Sequence, residues 1–231
     1  SFLACEPSSW GGQWTEEKLD AFEKYVNAYL TIMNVYKERY RWKLIYFDGF
    51  AGSGSRNDND SQPVSDLLLD LFKDECIEEE ELNTYKGAAE RVLGIKQSGF
   101  DQYVFVDKYK TSSQQLEERL MQFAKEKNLV FKTSDANEQV ITLAKAMQKN
   151  NSFASLVLLD PFGMQVDWAS IEQLKGTRTD LWILIPTGVI VNRLLDRKCE
   201  LTHIDKLTSF FGKDEAFLKN YFYKIRTVDT L

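Results

Sequence analysis

Histidine is almost missing from this 231-residue chain: His203 is the only one. Sites that need two histidines from one chain are thereby excluded. Cysteine is scarce too. Cys5, Cys76 and Cys199 are far apart, odd in number and form no CxxC pair. A zinc ribbon, an iron–sulfur cluster or a disulfide scaffold is therefore not expected, and no metal is assigned. Reduced thiols in a cytoplasmic protein are the simplest reading. No apolar run approaches the roughly 18 residues of a membrane span, so no membrane partner is expected. The apolar start Ser1–Cys5 is too short for a signal peptide, and the missing Met at position 1 suggests that leading residues were removed.

An excess of basic charge is lacking as well. Lys and Arg number 29 against 35 Asp and Glu, a net charge of −6. Overall charge alone therefore does not draw this chain to nucleic acid. The acids are unevenly spread. Residues 58–81 hold ten of them (Asp58, Asp60, Asp66, Asp70, Asp74, Glu75, Glu78, Glu79, Glu80 and Glu81) and one base, Lys73. Without that strip the chain carries 28 bases and 25 acids, a net of +3. The plain reading of the strip is a solvated face.

Apolar residues are plentiful, at 43%. That is enough to bury a core and excludes generic disorder. Thr15, Glu16 and Glu17 read as a helix start, and Leu19, Phe22, Val26, Tyr29, Leu30 and Met33 recur at helical spacing to about Arg39. Lys43–Asp48 then reads as a buried strand. A polar loop follows over 55–66, with possible helices over 63–72 and 82–99. From there strands and helices alternate. Strands are expected at Tyr103–Val106, Val130–Thr133, Leu156–Leu159 and Asp180–Ile185. Helices carry Leu116, Leu120 and Phe123, then Val140, Leu143, Ala144 and Met147, then Trp168, Ile171 and Leu174. Near-continuous apolar strands alternating with helices predict an α/β fold with a doubly wound, mostly parallel sheet. The expected division is an N-terminal helical extension over 1–43, an α/β core over 44–200 with an insertion at about 58–100, and a C-terminal part of the core or small cap over 201–231.

In such a sheet ligands bind beyond the carboxyl ends of the strands. Four strands end in or near an acid: Asp48, Asp107, Asp135 and Asp160. Asp is common in turns and helix caps, yet all four fall in an ordered series. After Asp48 comes Gly49-Phe50-Ala51-Gly52-Ser53-Gly54, a glycine-rich turn that lets backbone approach a ligand. A phosphate loop of the GxxxxGK[ST] type would need lysine where Ser55 stands, and a GxGxxG fingerprint would need glycine where Asn57 stands. The option left is a nucleoside without pyrophosphate, such as S-adenosylmethionine. Asp48, Phe50, Gly52 and Gly54 would cradle it, Asp107 would accept the ribose hydroxyls, and Asp135 with Ala136 would lie at the adenine. Asp160-Pro161-Phe162 resembles the Asp-Pro-Pro-Tyr motif of methyltransferases that modify exocyclic amines of nucleobases. There, Asp160 would accept the N–H bonds of the amine and Phe162 would stack on an extruded base. A plain strand-to-loop turn is the alternative, and Phe162 replaces the motif's second proline.

The pattern as a whole resembles the three-Cys-motif partner family, a bacterial group with a class I methyltransferase-like (Rossmann-like) fold. The likeness runs over roughly residues 14–190. It rests on Trp14-Thr15, Lys18-Leu19, Tyr25 and Tyr29, on Tyr46-Phe47-Asp48-Gly49-Phe50-Ala51-Gly52-Ser53-Gly54, on Ser134-Asp135-Ala136-Asn137, and on Leu159–Trp168 continuing to Asp180-Leu181-Trp182 and Pro186. The family's three cysteines belong to its partner protein, so Cys5, Cys76 and Cys199 are not that motif. The resemblance implies an S-adenosylmethionine pocket and a methyl acceptor in DNA or RNA. A class I fold has seven strands where five are read here, which suggests a chain cut short at Leu231. Asp107 follows Gly54 by 53 residues, against about 30 for a whole strand–helix–strand unit, so the acidic strip is an insertion between the first two strands.

Two further features stand out. Lys37-Glu38-Arg39-Tyr40-Arg41-Trp42-Lys43 interleaves bases with aromatics. It reads as a helix C-terminus with favourable cations, or as a patch for a phosphate backbone and a stacked base. His203 reads as a surface or capping residue. The leading reading is an S-adenosylmethionine-dependent methyltransferase acting on nucleic acid. The second is a non-catalytic adenosine-binding module that serves a protein partner, and the third is an NTPase.

Overall fold

The computed structural model describes residues 10–53, 87–96, 99–161, 163–185 and 204–228. The acidic strip, the expected helix over 63–72, Cys5, Cys76, Cys199 and His203 lie outside them.

Five strands form one all-parallel sheet: β1 (Lys43–Asp48), β2 (Gln102–Asp107), β3 (Leu129–Thr133), β4 (Phe153–Leu159) and β5 (Thr179–Ile183). Their spatial order is β3-β2-β1-β4-β5. That order is the one seen in doubly wound dinucleotide folds, and it reverses direction beside β1. Lys43 pairs with Phe153 and Asp48 with Leu158, while Asp48 also pairs with Phe105 on the other side. β1 is therefore central, and its end is enclosed by β2 and β4.

Side chains alternate across the sheet, so the strands feed two cores. Leu44, Tyr46, Tyr103, Phe105, Leu156 and Leu158 face one side, with Phe22, Val26, Tyr29 and Leu30 of α1 (Trp10–Tyr40), Val92 and Leu93 of α2 (Gly87–Gly94), and Leu116 and Leu120 of α3 (Lys110–Leu120). Ile45, Phe47, Val106, Val157 and Leu159 face the other. They meet Val140, Leu143, Ala144 and Met147 of α4 (Ala136–Lys149), Ile171 of α5 (Trp168–Glu172), and Phe210 of α6 (Ile204–Phe211). Both faces are covered, as the apolar strands require.

Three boundaries differ from the expectation. The first helix starts at Trp10 and runs through Thr15, so Thr15 does not cap it. The expected helix over 82–99 is described only as Gly87–Gly94. The aromatic C-terminal segment adds no strand among the described residues; it forms α6 and α7 (Glu215–Val228), joined through Leu207 and Leu218. Leu207, Phe210, Phe211 and Leu218 follow the helical repeat, and Phe210 packs into the second core beside Phe47 and Val157. No described helix is long and apolar enough to cross a membrane.

Candidate functional site

Asp48, Asp107 and Asp160 continue the alternation of Tyr46, Phe105 and Leu158. All three therefore emerge on the α1 face, at the carboxyl ends of β1, β2 and β4. The chain after β1 is tied over these ends. Gly49 N donates to Leu158 O at 2.9 Å and Ala51 N to Val106 O at 2.9 Å. A Cβ on Gly49 would lie 2.5 Å from Leu159 Cδ2, so a side chain there would require the Leu159 side chain to move. Gly52 takes φ +64°, a left-handed conformation that glycine adopts without strain. There its amide donates to Asp107 Oδ2 at 3.1 Å. Tyr109 N donates to Asp107 Oδ1 at 2.7 Å. Both oxygens of Asp107 are thus anchored by backbone, and each keeps a lone pair for a hydroxyl.

Asp48 is 4% exposed. Phe50 N donates to its Oδ1 at 3.1 Å. Burial lifts its carboxyl from 3.8 to about 7, with the charges of Asp160 and Asp107 pushing the same way and the Phe50 amide opposing. Asp160 rises to about 6, again through burial, while Lys18 of α1 pulls it down. Burial also raises Asp107, against its two amide donors. Asp48 and Asp160 are thus poised to ionise near neutral pH, the range in which a carboxylate can trade a proton. Burial, with Asp48 and then Asp160 beside it, pushes the Tyr46 hydroxyl well above its ordinary value.

Pro161 is buried, and its ring restricts the backbone of Asp160 before it. The loop beyond it is fastened by Asn137. Asn137 Nδ2 donates to Gln165 O at 2.9 Å, and its Oδ1 accepts from Asp167 N at 2.8 Å and Ser170 Oγ at 3.0 Å. Asp135 sits one strand farther out and caps α4 through Asn137 N at 2.9 Å; Ala136 is buried in the first turn. The structure thus gathers Asp48, Asp107, Asp160 and the Phe50–Gly52 backbone, and sets Asp135 and Ala136 at the edge. Gly54 and Phe162 lie outside the described residues. Among the described residues no three acids, cysteines or histidines converge as metal ligands would.

Lys18 and Tyr46 carried no site role in the sequence reading. Lys18 faces Asp160 across a cavity of about 20 Å³ that Phe22, Ala88, Trp182 and Leu184 also line. The α1 wall is fixed by Tyr25 Oη donating to Asp180 Oδ2 at 2.5 Å, and by Trp182 against Phe22 and Tyr25 at 5.2 and 5.0 Å. Burial, with Asp180 beside it, pushes Tyr25 up to about 12. Trp182 belongs to the Asp180-Leu181-Trp182 motif, so that motif was a usable signal for this wall. No protein family, curated relative or solved structure matches the chain.

Proposed function

We propose that this chain is an S-adenosylmethionine-dependent methyltransferase whose acceptor is an exocyclic amine of a nucleobase in DNA or RNA. One observation carries the reading: three carboxylates stand at the ends of adjacent central strands, and the Gly52 turn is bonded to the middle one's neighbour, Asp107. The motif likeness to the three-Cys-motif partner family, carried in part by the same Asp48–Gly54 and Leu159–Trp168 segments, agrees with it.

The residues present fit the cofactor. Asp107 is pre-oriented by two amides and has lone pairs left for a ribose diol. Asp48, buried and half ionised near neutrality, suits a cation held close by. Asp135 spends Oδ1 on its cap and keeps Oδ2 for an amino group. The cofactor, when bound, supplies a methyl group on a positively charged sulfur. Asp160 would accept an N–H of the acceptor amine, align its lone pair and stabilise the positive charge that the nitrogen gains with the methyl group, before that N–H proton leaves. Above about pH 6 Asp160 is ionised and able to do so. Pro161 and the Asn137 clamp keep it in place. The cavity beside Asp160 holds about one water. A nucleobase is larger, so acceptor binding moves the Lys18 end of α1 aside, and Phe162 is the residue assigned to stack on the base.

Calorimetric titration with S-adenosylhomocysteine, with ATP and NAD as controls, tests the reading. Binding near the micromolar range, about 8 kcal/mol, that Asp107→Ala weakens supports the pocket. Asp160→Ala should then abolish methyl transfer to DNA or RNA while cofactor binding stays. Binding without any transfer by the unaltered chain would favour a cofactor-holding module for a protein partner. Absence of binding by folded protein would sink both.

A further inference from the structure

The end of the sheet opposite the carboxylates carries an aromatic platform. Tyr36, Tyr40 and Trp42 stack on one another, with ring centres 5.2–6.1 Å apart and planes within 25° of parallel. The Arg178 guanidinium lies 4.3 Å from the Trp42 ring centre and that of Arg39 lies 5.3 Å from Tyr40. Tyr36 and Tyr40 remain 41% and 49% exposed. A buried role does not account for rings this open.

The charges around the rings point the same way. Lys37 is neutralised by Asp101 at 2.7 Å. Among the described residues no carboxylate pairs with Arg39, Arg41 or Arg178, and Arg178 instead donates to Asn151 O. Glu38 is the single acid in the run 37–43. Arg41 ends α1 at φ +55°. A helix commonly ends on glycine in that conformation, and a side chain there costs about 1–2 kcal/mol. An arginine is kept at a place where glycine would fold more easily. Strain of this sort is a pointer to use.

The geometry points to a docking surface for single-stranded nucleic acid, with bases stacking on Tyr36 and Tyr40 and phosphates held by Arg39, Arg41 and Arg178. Parallel exposed rings beside guanidiniums that no described carboxylate neutralises are what an unpaired strand needs, because every base offers a flat face and every phosphate a charge. The surface lies one strand length, about 20 Å, from the carboxylates. It anchors a strand and does not present the base that Asp160 would meet. The inference does not rest on the cofactor reading, since docking is measured with no cofactor present.

The test is fluorescence anisotropy of the full chain with a fluorescein-labelled thymidine oligonucleotide of about 20 nucleotides. Tyr40→Ala should weaken binding roughly tenfold. Arg41→Gly should weaken it while thermal stability holds or rises, which separates binding from folding. Removing Arg39 should flatten the salt dependence by about one unit of slope. Absence of binding by the unaltered chain overturns the proposal. So does binding that all three variants leave unchanged. So does a protein ligand that docks on these rings and is not displaced by oligonucleotide.

Discussion

The Gly52 amide donates to Asp107 Oδ2 at 3.1 Å, and this bond joins the turn after β1 to the end of β2. Tyr109 N holds the other oxygen. An amide side chain cannot accept from both, because one of its two ends is a donor. Asp107→Asn should therefore loosen the Gly52 turn and weaken S-adenosylhomocysteine. Loss of one charge-assisted bond is worth about 1.5–3 kcal/mol, so the titration should show an affinity drop of roughly tenfold or more. Unchanged affinity would place the ligand away from this turn.

Asp48 should make the fold less stable as pH rises. Its native value, about 7, stands above the ordinary 3.8. Between those values the folded chain holds a proton that the unfolded chain has released, so stability falls with rising pH across that window. Some three units correspond to about 4 kcal/mol at most. Asp48→Asn keeps an acceptor for Phe50 N and has no charge to bury. Denaturant melts should find it more stable than the parent at about pH 8, with the gap closing toward about pH 4. A gap independent of pH would mean that the carboxyl is not held protonated.

The same group makes cofactor charge measurable. A cation beside Asp48 favours its ionised form, so binding near pH 7 should expel a fraction of a proton. S-adenosylmethionine carries a positive sulfur and S-adenosylhomocysteine a neutral one. Titrations in phosphate and in Tris should give different apparent enthalpies, and the difference should be larger for the charged ligand. Equal enthalpies in both buffers would put the sulfur far from Asp48.

The carboxylate frame was legible because it depends on local order. Leu156–Leu159 and Tyr103–Val106 are short apolar runs, and each is followed at once by its acid. Strand ends were less legible: β4 begins at Phe153 and β5 at Thr179, where pairing with neighbours extends strands past their apolar run. Tyr46 read as a core aromatic. That its hydroxyl meets Asp48 and Asp160 follows from the register of β1 on β4, which no single segment encodes. Lys18 lies on a helix whose apolar stripe was visible, but which end of the sheet that helix reaches was not. The rings of Tyr36, Tyr40 and Trp42 were visible as residues. Their stacking depends on the reversal at Arg41, and nothing in the spacing signals a left-handed arginine.

Lys18 faces Asp160 across their shared cavity and acts on it through charge. Burial raises Asp160 to about 6 and Lys18 holds it from rising further. Asp48, Asp107 and the Tyr46 hydroxyl share this face, and Tyr25, Tyr29 and Asp180 lie farther along it. Lys18→Met keeps the aliphatic stem and removes the charge, so Asp160 should retain its proton to higher pH. Carboxyl carbon NMR of the aspartate-labelled chain reads this directly, without substrate or cofactor. The Asp160 titration should move upward in Lys18→Met and return in Lys18→Arg. If methyl transfer is measured, the acidic limb of its pH profile should shift the same way. A lysine that only packs against Phe22 and Trp182 would change melting temperature and leave the titration where it was.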